Sequence, residues 1–205
     1  MKMKWNNLIF QFKITLEEIQ PTIWRRIQVP AKYSFWDLHV AIQDSMGWFD
    51  YHLHAFRHKR LHAKKIIEIG IPSDEYDDIM IFPSWDEYIS DYFSEPGKSS
   101  SYLYDFGDSW YHEIVLEGIL LKEKEIKYPR CINGQRACPP EDCGGVPGYE
   151  NLLMIIRDPN HTEYESMIEW LSGWYGKYDP ESFDRKKIKF DNPKKRWKKA
   201  FLEHD

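Results

Sequence analysis

Residues 9–47, IFQFKITLEEIQPTIWRRIQVPAKYSFWDLHVAIQDSMG, decide the fold class. Apolar Phe10, Phe12, Ile14 and Leu16 alternate with polar Gln11, Lys13, Thr15 and Glu17, the period of two that a strand shows when one face is buried and the other is wet. Gln20-Pro21 breaks the run. Ile23 to Val29, stopped by Pro30, then reads as the hairpin partner, because proline lacks the amide that would extend a ladder. Ser34 offers a side-chain acceptor to the free amides of a helix start, Asp37 stands at the reciprocal capping position, and Gly47 supplies the left-handed stop. Between those caps Phe35, Leu38, Ile42 and Met46 fall on one helical face.

The next segment, Tyr51 to His58, alternates again, with Tyr51, Leu53 and Ala55 on one side and His52, His54, Phe56 and His58 on the other. Its histidines are expected on the solvent face of the sheet beside Arg57, Lys59, Arg60, Lys64 and Lys65. His52 and His54 could also chelate a metal from that face, joined by His58 and His62. Pro72 to Ser101 is acidic and rich in turn formers, which predicts a flap-like loop with a short helical piece near Trp85 to Tyr92. Tyr102 to Phe106, a Gly107-Asp108 turn, and Trp110 to Leu121 form a second hairpin. The C-terminal half turns helical: Leu152, Leu153 and Ile156 stripe one segment, and Thr162 with Glu165 make a capping box for a second, ended by Gly173. Asn192-Pro193 opens a terminal helix. The expected fold is a single α+β domain over residues 1–205, with a mixed sheet beginning β-β-α-β in a β-grasp-like manner. Its core runs from about residue 8 to 184, with residues 185–205 as a basic helical appendage.

Composition narrows the function classes. The chain is 16% aromatic, with 9 Trp and 13 Tyr, which points to large core side chains or an adhesive groove. No apolar run is long enough to cross a bilayer, and the polar N-terminus does not resemble a secretory signal, so the cytoplasm is the expected compartment. A net charge of -5 gives no global attraction to nucleic acid. Charge is nonetheless segregated: Ser73 to Gly97 has no Lys or Arg, while Lys186 to Lys199 is strongly basic.

Three strings, Pro21 to Trp48, Tyr104 to Ile114 (YDFGDSWYHEI) and Tyr128 to Leu153 (YPRCINGQRACPPEDCGGVPGYENLL), together resemble the plasmid pRiA4b ORF-3-like family. The Cys-Pro-Pro-Glu-Asp-Cys-Gly-Gly string is the most specific mark, and Asp158 to Leu171 and Asp179 to Asp184 extend the likeness. The acidic stretch near Tyr76 to Ser101 and the basic tail after Arg185 depart from it. The resemblance implies no stated activity beyond loose labels such as resolvase-like. A resolvase would need a serine or tyrosine nucleophile among arginines, and Arg25 and Arg26 sit in an expected strand without such a partner.

The chain's three cysteines, Cys131, Cys138 and Cys143, share one loop stiffened by proline and glycine. The shorter of the two gaps suits a pair of thiolates on one tetrahedral zinc, and the longer does not. His112, Asp142 or a histidine of the His52/His54 pair could supply the fourth ligand. Buried inert thiols and a local disulfide are the competing readings. Asp105, Asp108 and His112 surround the hairpin turn, which is raw material for acid-base or metal chemistry and equally for turn formation. Lys194, Lys195, Arg196, Lys198 and Lys199, interleaved with Trp197 and Phe201, could bind phosphates while stacking bases, or could simply face water on a docked helix.

The favoured reading is a non-catalytic interaction module for a protein partner. Its surface comprises Tyr104, Asp105, Asp108, Trp110, His112, Glu141 and Asp142, with the cysteine loop folded over the turn, and zinc as an optional lock. A metal-dependent enzyme using Asp105, Asp108 and His112, and nucleic-acid binding through the basic tail, are the alternatives.

Overall fold

The computed structural model describes residues 5–59, 66–72 and 81–203. At the N-terminus, β1 (Leu8–Leu16) and β2 (Trp24–Pro30) form the expected antiparallel hairpin, with Phe10 opposite Val29 and Phe12 opposite Ile27. Phe10, Phe12, Ile14 and Leu16 are buried. The other face carries a polar ladder in which Arg26 Nε donates to Glu117 Oε2 (2.5 Å) and Gln28 Nε2 to Gln11 Oε1 (2.8 Å). One dry face and one wet face is what strict alternation requires.

Helix α1 (Phe35–Met46) is bounded as its sequence dictates. Ser34 Oγ accepts from the Asp37 amide, Asp37 Oδ2 accepts from the Ser34 amide, and Gly47 takes φ 92° at the stop. The chain continues through β3 (His54–Lys59), β4 (Ile66–Gly70), β5 (Ile81–Pro83), a 3-10 turn at Ile89–Asp91, β6 (Ser99–Tyr104), β7 (Trp110–Leu121) and β8 (Arg130–Gln135). Three helices follow: α2 (Gly145–Arg157), α3 (Tyr164–Tyr175) and α4 (Pro193–Phe201).

Among the described residues, eight strands form one mixed sheet in the order β5-β4-β3-β6-β7-β1-β2-β8, antiparallel except for β4 beside β5. An α+β architecture that opens β-β-α-β is therefore present. The β-grasp-like description is not confirmed by this order, since β6 and β7 stand between β3 and the first hairpin. Aromatic rings knit the core: Phe12 lies 4.9 Å from Phe93, Phe35 lies 4.9 Å from Phe56, and Phe56 lies 4.7 Å from Tyr102. Edge-on and tilted pairs of this kind account for much of the aromatic content.

Several expectations change. His54 and His58 are buried with Phe56 on the core side, because β3 is an interior strand whose inward face lies against α1 and the Phe93 cluster. The expected histidine row on solvent is thus inverted. Thr162 and Glu165 form no capping box: α3 is preceded by Glu163, with no side-chain cap, and it runs past Gly173 to Tyr175. The helical piece near Trp85 shrinks to one 3-10 turn, and the expected loop holds β5 and the start of β6. Residues 73–80 of that flap, Tyr76 among them, lie outside the described residues, as do Arg60, His62, Lys64 and Lys65.

Helix α4 docks on α1 through a hydrogen bond from Trp36 Nε1 to the Pro193 carbonyl (3.0 Å) and a ring contact between Trp36 and Phe201. Arg196 reaches Asp44 Oδ1 at 2.7 Å and Asp50 Oδ2 at 3.5 Å. No helix among the described residues is long and apolar enough to cross a membrane.

Candidate functional site

Four segments distant in sequence meet at one end of the sheet: the stretch after α1, the β6–β7 turn, the cysteine loop and the end of α3. Trp48 Nε1 donates to the Pro139 carbonyl at 2.9 Å, the Phe49 amide to Glu141 Oε2 at 3.0 Å, and the Asp105 amide to the Leu53 carbonyl at 3.0 Å. Glu141 is buried and forms the hub. Its carboxylate accepts from the Tyr104 hydroxyl, and its own amide donates to the Tyr175 hydroxyl at 2.7 Å. Burial raises the Glu141 carboxyl above its ordinary range, opposed by the Tyr104 and Phe49 hydrogen bonds. Burial and the adjoining Glu141 charge raise the Tyr104 phenol in turn. The raised phenol keeps its proton, which makes Tyr104 the donor.

The cysteine loop closes on the hairpin turn through Asp108, whose Oδ2 accepts from the Gly144 amide (3.1 Å) at the start of α2. A carboxylate there satisfies an otherwise free amide and favours the positive end of the helix. Gly145 is required by the contact: a Cβ at this position would lie 2.5 Å from the Asp108 carbonyl oxygen, and its φ is 66°. The sequence expectation that loop and turn share a face therefore matches their placement.

Tyr104, Asp105, Asp108, Glu141 and Asp142 all come to this junction. Trp110 and His112 do not face it outward. Both are buried on the core side of β7, where His112 Nδ1 lies 3.3 Å from the Tyr102 carbonyl and its ring meets the Trp48 face edge-on. Desolvation pushes the His112 imidazole down to about 4, so it is neutral at physiological pH. The constellation Asp105/Asp108/His112 is accordingly broken up, and the imidazole that joins the carboxylates is His52. Its Nε2 lies 3.0 Å from Asp142 Oδ1 and 3.6 Å from Asp105 Oδ2.

The cysteines are placed differently from the zinc expectation. Each is free. Among the described residues, the one group of three or more His, Cys, Asp or Glu donors within 4.8 Å of each other is His52, Asp105 and Asp142, with no sulfur in it. Cys131 instead points its thiol at the Asn133 carbonyl from β8. Cys138 is buried near Arg25, whose guanidinium is fixed by the Ser45 and Gln135 carbonyls. Burial raises all three thiols, Cys138 and Cys143 to about 12, against the opposing pull of Arg25 on Cys131 and Cys138. Among the described residues, the three sulfurs do not form one donor group within 4.8 Å of each other.

The basic tail also divides. Lys194, Lys195, Lys198 and Lys199 are exposed, but Arg196 is engaged by Asp44, Asp50 and Asp191, and Trp197 and Phe201 rest on Trp85. The rings expected to stack bases are thus occupied in docking the helix.

Sequence reasoning did not single out Phe49, Trp174 or Tyr175. Phe49 is 40% exposed, Tyr51 68% and Trp174 62%, and Phe49 contacts both Tyr51 (5.6 Å between ring centres) and Trp174 (6.1 Å). The signal for Trp174 was its place beside Tyr175 at the aromatic end of α3.

Fold and site together define an α+β protein in which a cysteine-bearing loop is sealed onto a hairpin turn beside an exposed aromatic patch. The chain belongs to the plasmid pRiA4b ORF-3-like protein family, whose profile matches residues 8–187. It is similar to the uncharacterized protein y4hQ of Sinorhizobium fredii (strain NBRC 101917 / NGR234), with 32% identity over 162 residues, 79% of this chain and 80% of that one. It is also similar to the crystal structure of a protein of unknown function, MM3350, from Methanosarcina mazei Go1. That match has a TM-score of 0.80 and 40% identity, and covers 90% of this chain and 99% of the other.

Proposed function

We propose that the chain is a binding module that holds a protein partner on the face built by the cysteine loop, the β6–β7 turn and the residues after α1. The observation that carries this reading is the cluster of exposed rings, Phe49, Tyr51 and Trp174, set on a rigid hydrogen-bonded base. Contiguous exposed aromatics mark contact surfaces, and aromatic anchors supply most of the energy of such interfaces. Rigid support reduces the ordering cost of association. A groove of about 690 Å³ runs from Tyr51 and Leu53 to Lys195, Lys199 and Phe201. Its chemistry suits a partner segment that offers an apolar side chain flanked by carboxylates.

The test compares wild type with a Tyr51→Ser/Trp174→Ser variant as bait in quantitative affinity capture from the source cells, with melting curves to verify the fold. Loss of two anchors should weaken a true partner by roughly 30-fold or more. Equal capture by both baits, or none by either, contradicts the reading.

A further inference from the structure

We propose that His52, Asp105 and Asp142 bind a divalent transition-metal cation, zinc being the test case, through one imidazole nitrogen and two carboxylate oxygens. The three donor atoms lie within 4.8 Å of one another, with His52 Nε2 at 3.0 Å from Asp142 Oδ1 and 3.6 Å from Asp105 Oδ2. Ligands about 2.1 Å from a zinc ion stand roughly 3.0–3.4 Å apart in octahedral or tetrahedral geometry. The two imidazole–carboxylate spacings are close to that of neighbouring ligands on one ion.

A second observation concerns the imidazole. His52 Nε2 is shielded from solvent, yet it has no aligned hydrogen bond to either carboxylate despite their proximity. A polar atom withdrawn from water normally finds a partner, and leaving it without one costs about 1–3 kcal/mol. A cation seated between the three atoms would satisfy that lone pair and both carboxylate oxygens together.

Asp105 is oriented for this role. Its Oδ1 accepts from the Gly107 amide at 2.9 Å and the Asp108 amide at 3.3 Å, which leaves Oδ2 turned toward His52. Outer hydrogen bonds of this kind fix the carboxylates that ligate metals. The Asp142 side chain is 67% exposed, so the third ligand reaches in from the solvent side and coordination positions stay open to water or an incoming oxygen. One nitrogen and two carboxylate oxygens suit zinc or manganese and not the soft ions that thiolates select. A protonated His52 bridging two carboxylates would give the same contacts without a cation, and metal titration separates the two states. Cation and protein partner are independent: the aromatic cluster needs no metal, and the donor triad needs no partner.

The experiment titrates zinc chloride into the metal-stripped full chain by calorimetry, and cobalt(II) by absorption spectroscopy. One ion per chain is expected, with affinity at least about 100-fold lower in His52→Ala and in Asp142→Asn, and unchanged in Cys143→Ser and Cys131→Ser. Asp142→Asn alters an exposed position, so it reports even if His52→Ala loses stability. Cobalt should show no intense sulfur charge-transfer band. No saturable zinc binding by wild type, equal binding by His52→Ala and Asp142→Asn, or a thiolate band in the cobalt spectrum each overturns the site.

Discussion

Acid should destabilise this protein through imidazoles that are buried without charge, and His112 allows the effect to be isolated. It is fully buried beneath Trp48, its Nε2 has no partner, and desolvation holds its pKa down at about 4. In the unfolded chain the same ring titrates near its ordinary value of about 6.5. Between these two values the unfolded state binds the extra proton, so the stabilisation is fully present above pH 6.5 and disappears progressively as pH falls toward 4. At about 1.4 kcal/mol for each pH step, lowering pH to about 5 removes roughly 2 kcal/mol through His112 alone. That is a large share of a marginal total of about 5–15 kcal/mol. His54, held well below 6.5 by burial and by the neighbouring His39, acts in the same direction. Glu141, Asp37 and Asp44, whose carboxyls burial raises, act in the opposite direction, since the folded chain takes up their protons first. A difference measurement removes those shared contributions. Urea unfolding of wild type and His112→Gln at about pH 7.5 and about pH 5 should show a pH-dependent loss smaller by roughly 2 kcal/mol in the variant, whatever its stability at neutral pH. Equal losses in the two proteins, within about 0.5 kcal/mol, would refute the reasoning.

Gly145→Ala should cost about 2 kcal/mol or more in urea unfolding, because the new Cβ would meet the Asp108 carbonyl oxygen at 2.5 Å on a backbone already at positive φ. A cost below about 0.5 kcal/mol would mean that the loop does not approach the turn so closely. Ser34→Ala removes the acceptor that caps α1 and should lower stability by about 1 kcal/mol, with Ser34→Gly affected by only a few tenths. Arg196→Ala leaves Asp44 without its counter-charge at the α1–α4 contact and Asp50 with His39 as its remaining partner. Amide exchange across residues 193–201 should then quicken by 10-fold or more, about 1.4 kcal/mol of local stability, while the β1–β7 amides stay protected.

The parts of the fold that were legible in the sequence are those whose signals are local. Ser34, Asp37 and Gly47 each carry their own capping chemistry, and the Phe10 to Glu17 alternation fixes which side of β1 is dry. The Gly107-Asp108 turn likewise announces the β6–β7 hairpin. What escaped is held by distant partners. Arg130 to Gln135 contains Asn133-Gly134 and reads as loop, yet it forms β8 by pairing with β2 across a register shift at Arg26/Ile27. Ile81 to Pro83 is a strand only because β4 lies beside it. For the Tyr51 to His58 segment the period was right and the sign of the face was wrong, since alternation cannot say which side is buried when both sides carry apolar residues. The site followed the same division. The cysteine string and the Asp105 to Asp108 turn stood out by composition, whereas Trp174 joins them through the packing of α3. His52 was read as one of a histidine pair, and its carboxylate neighbours arrive from two other segments. The cysteines attracted a metal reading by their spacing, whereas the donor group that the described residues bring together is His52, Asp105 and Asp142.

That the cysteine loop and the hairpin turn form a single rigid face rests on Tyr104 and Glu141. A double-mutant cycle with Tyr104→Phe, Glu141→Gln and the pair, measured by urea unfolding at neutral pH, tests it most directly. Partners in a buried charge-assisted hydrogen bond should couple by roughly 1–3 kcal/mol. Additivity within about 0.3 kcal/mol would show that the two residues do not meet, and the common face would not exist.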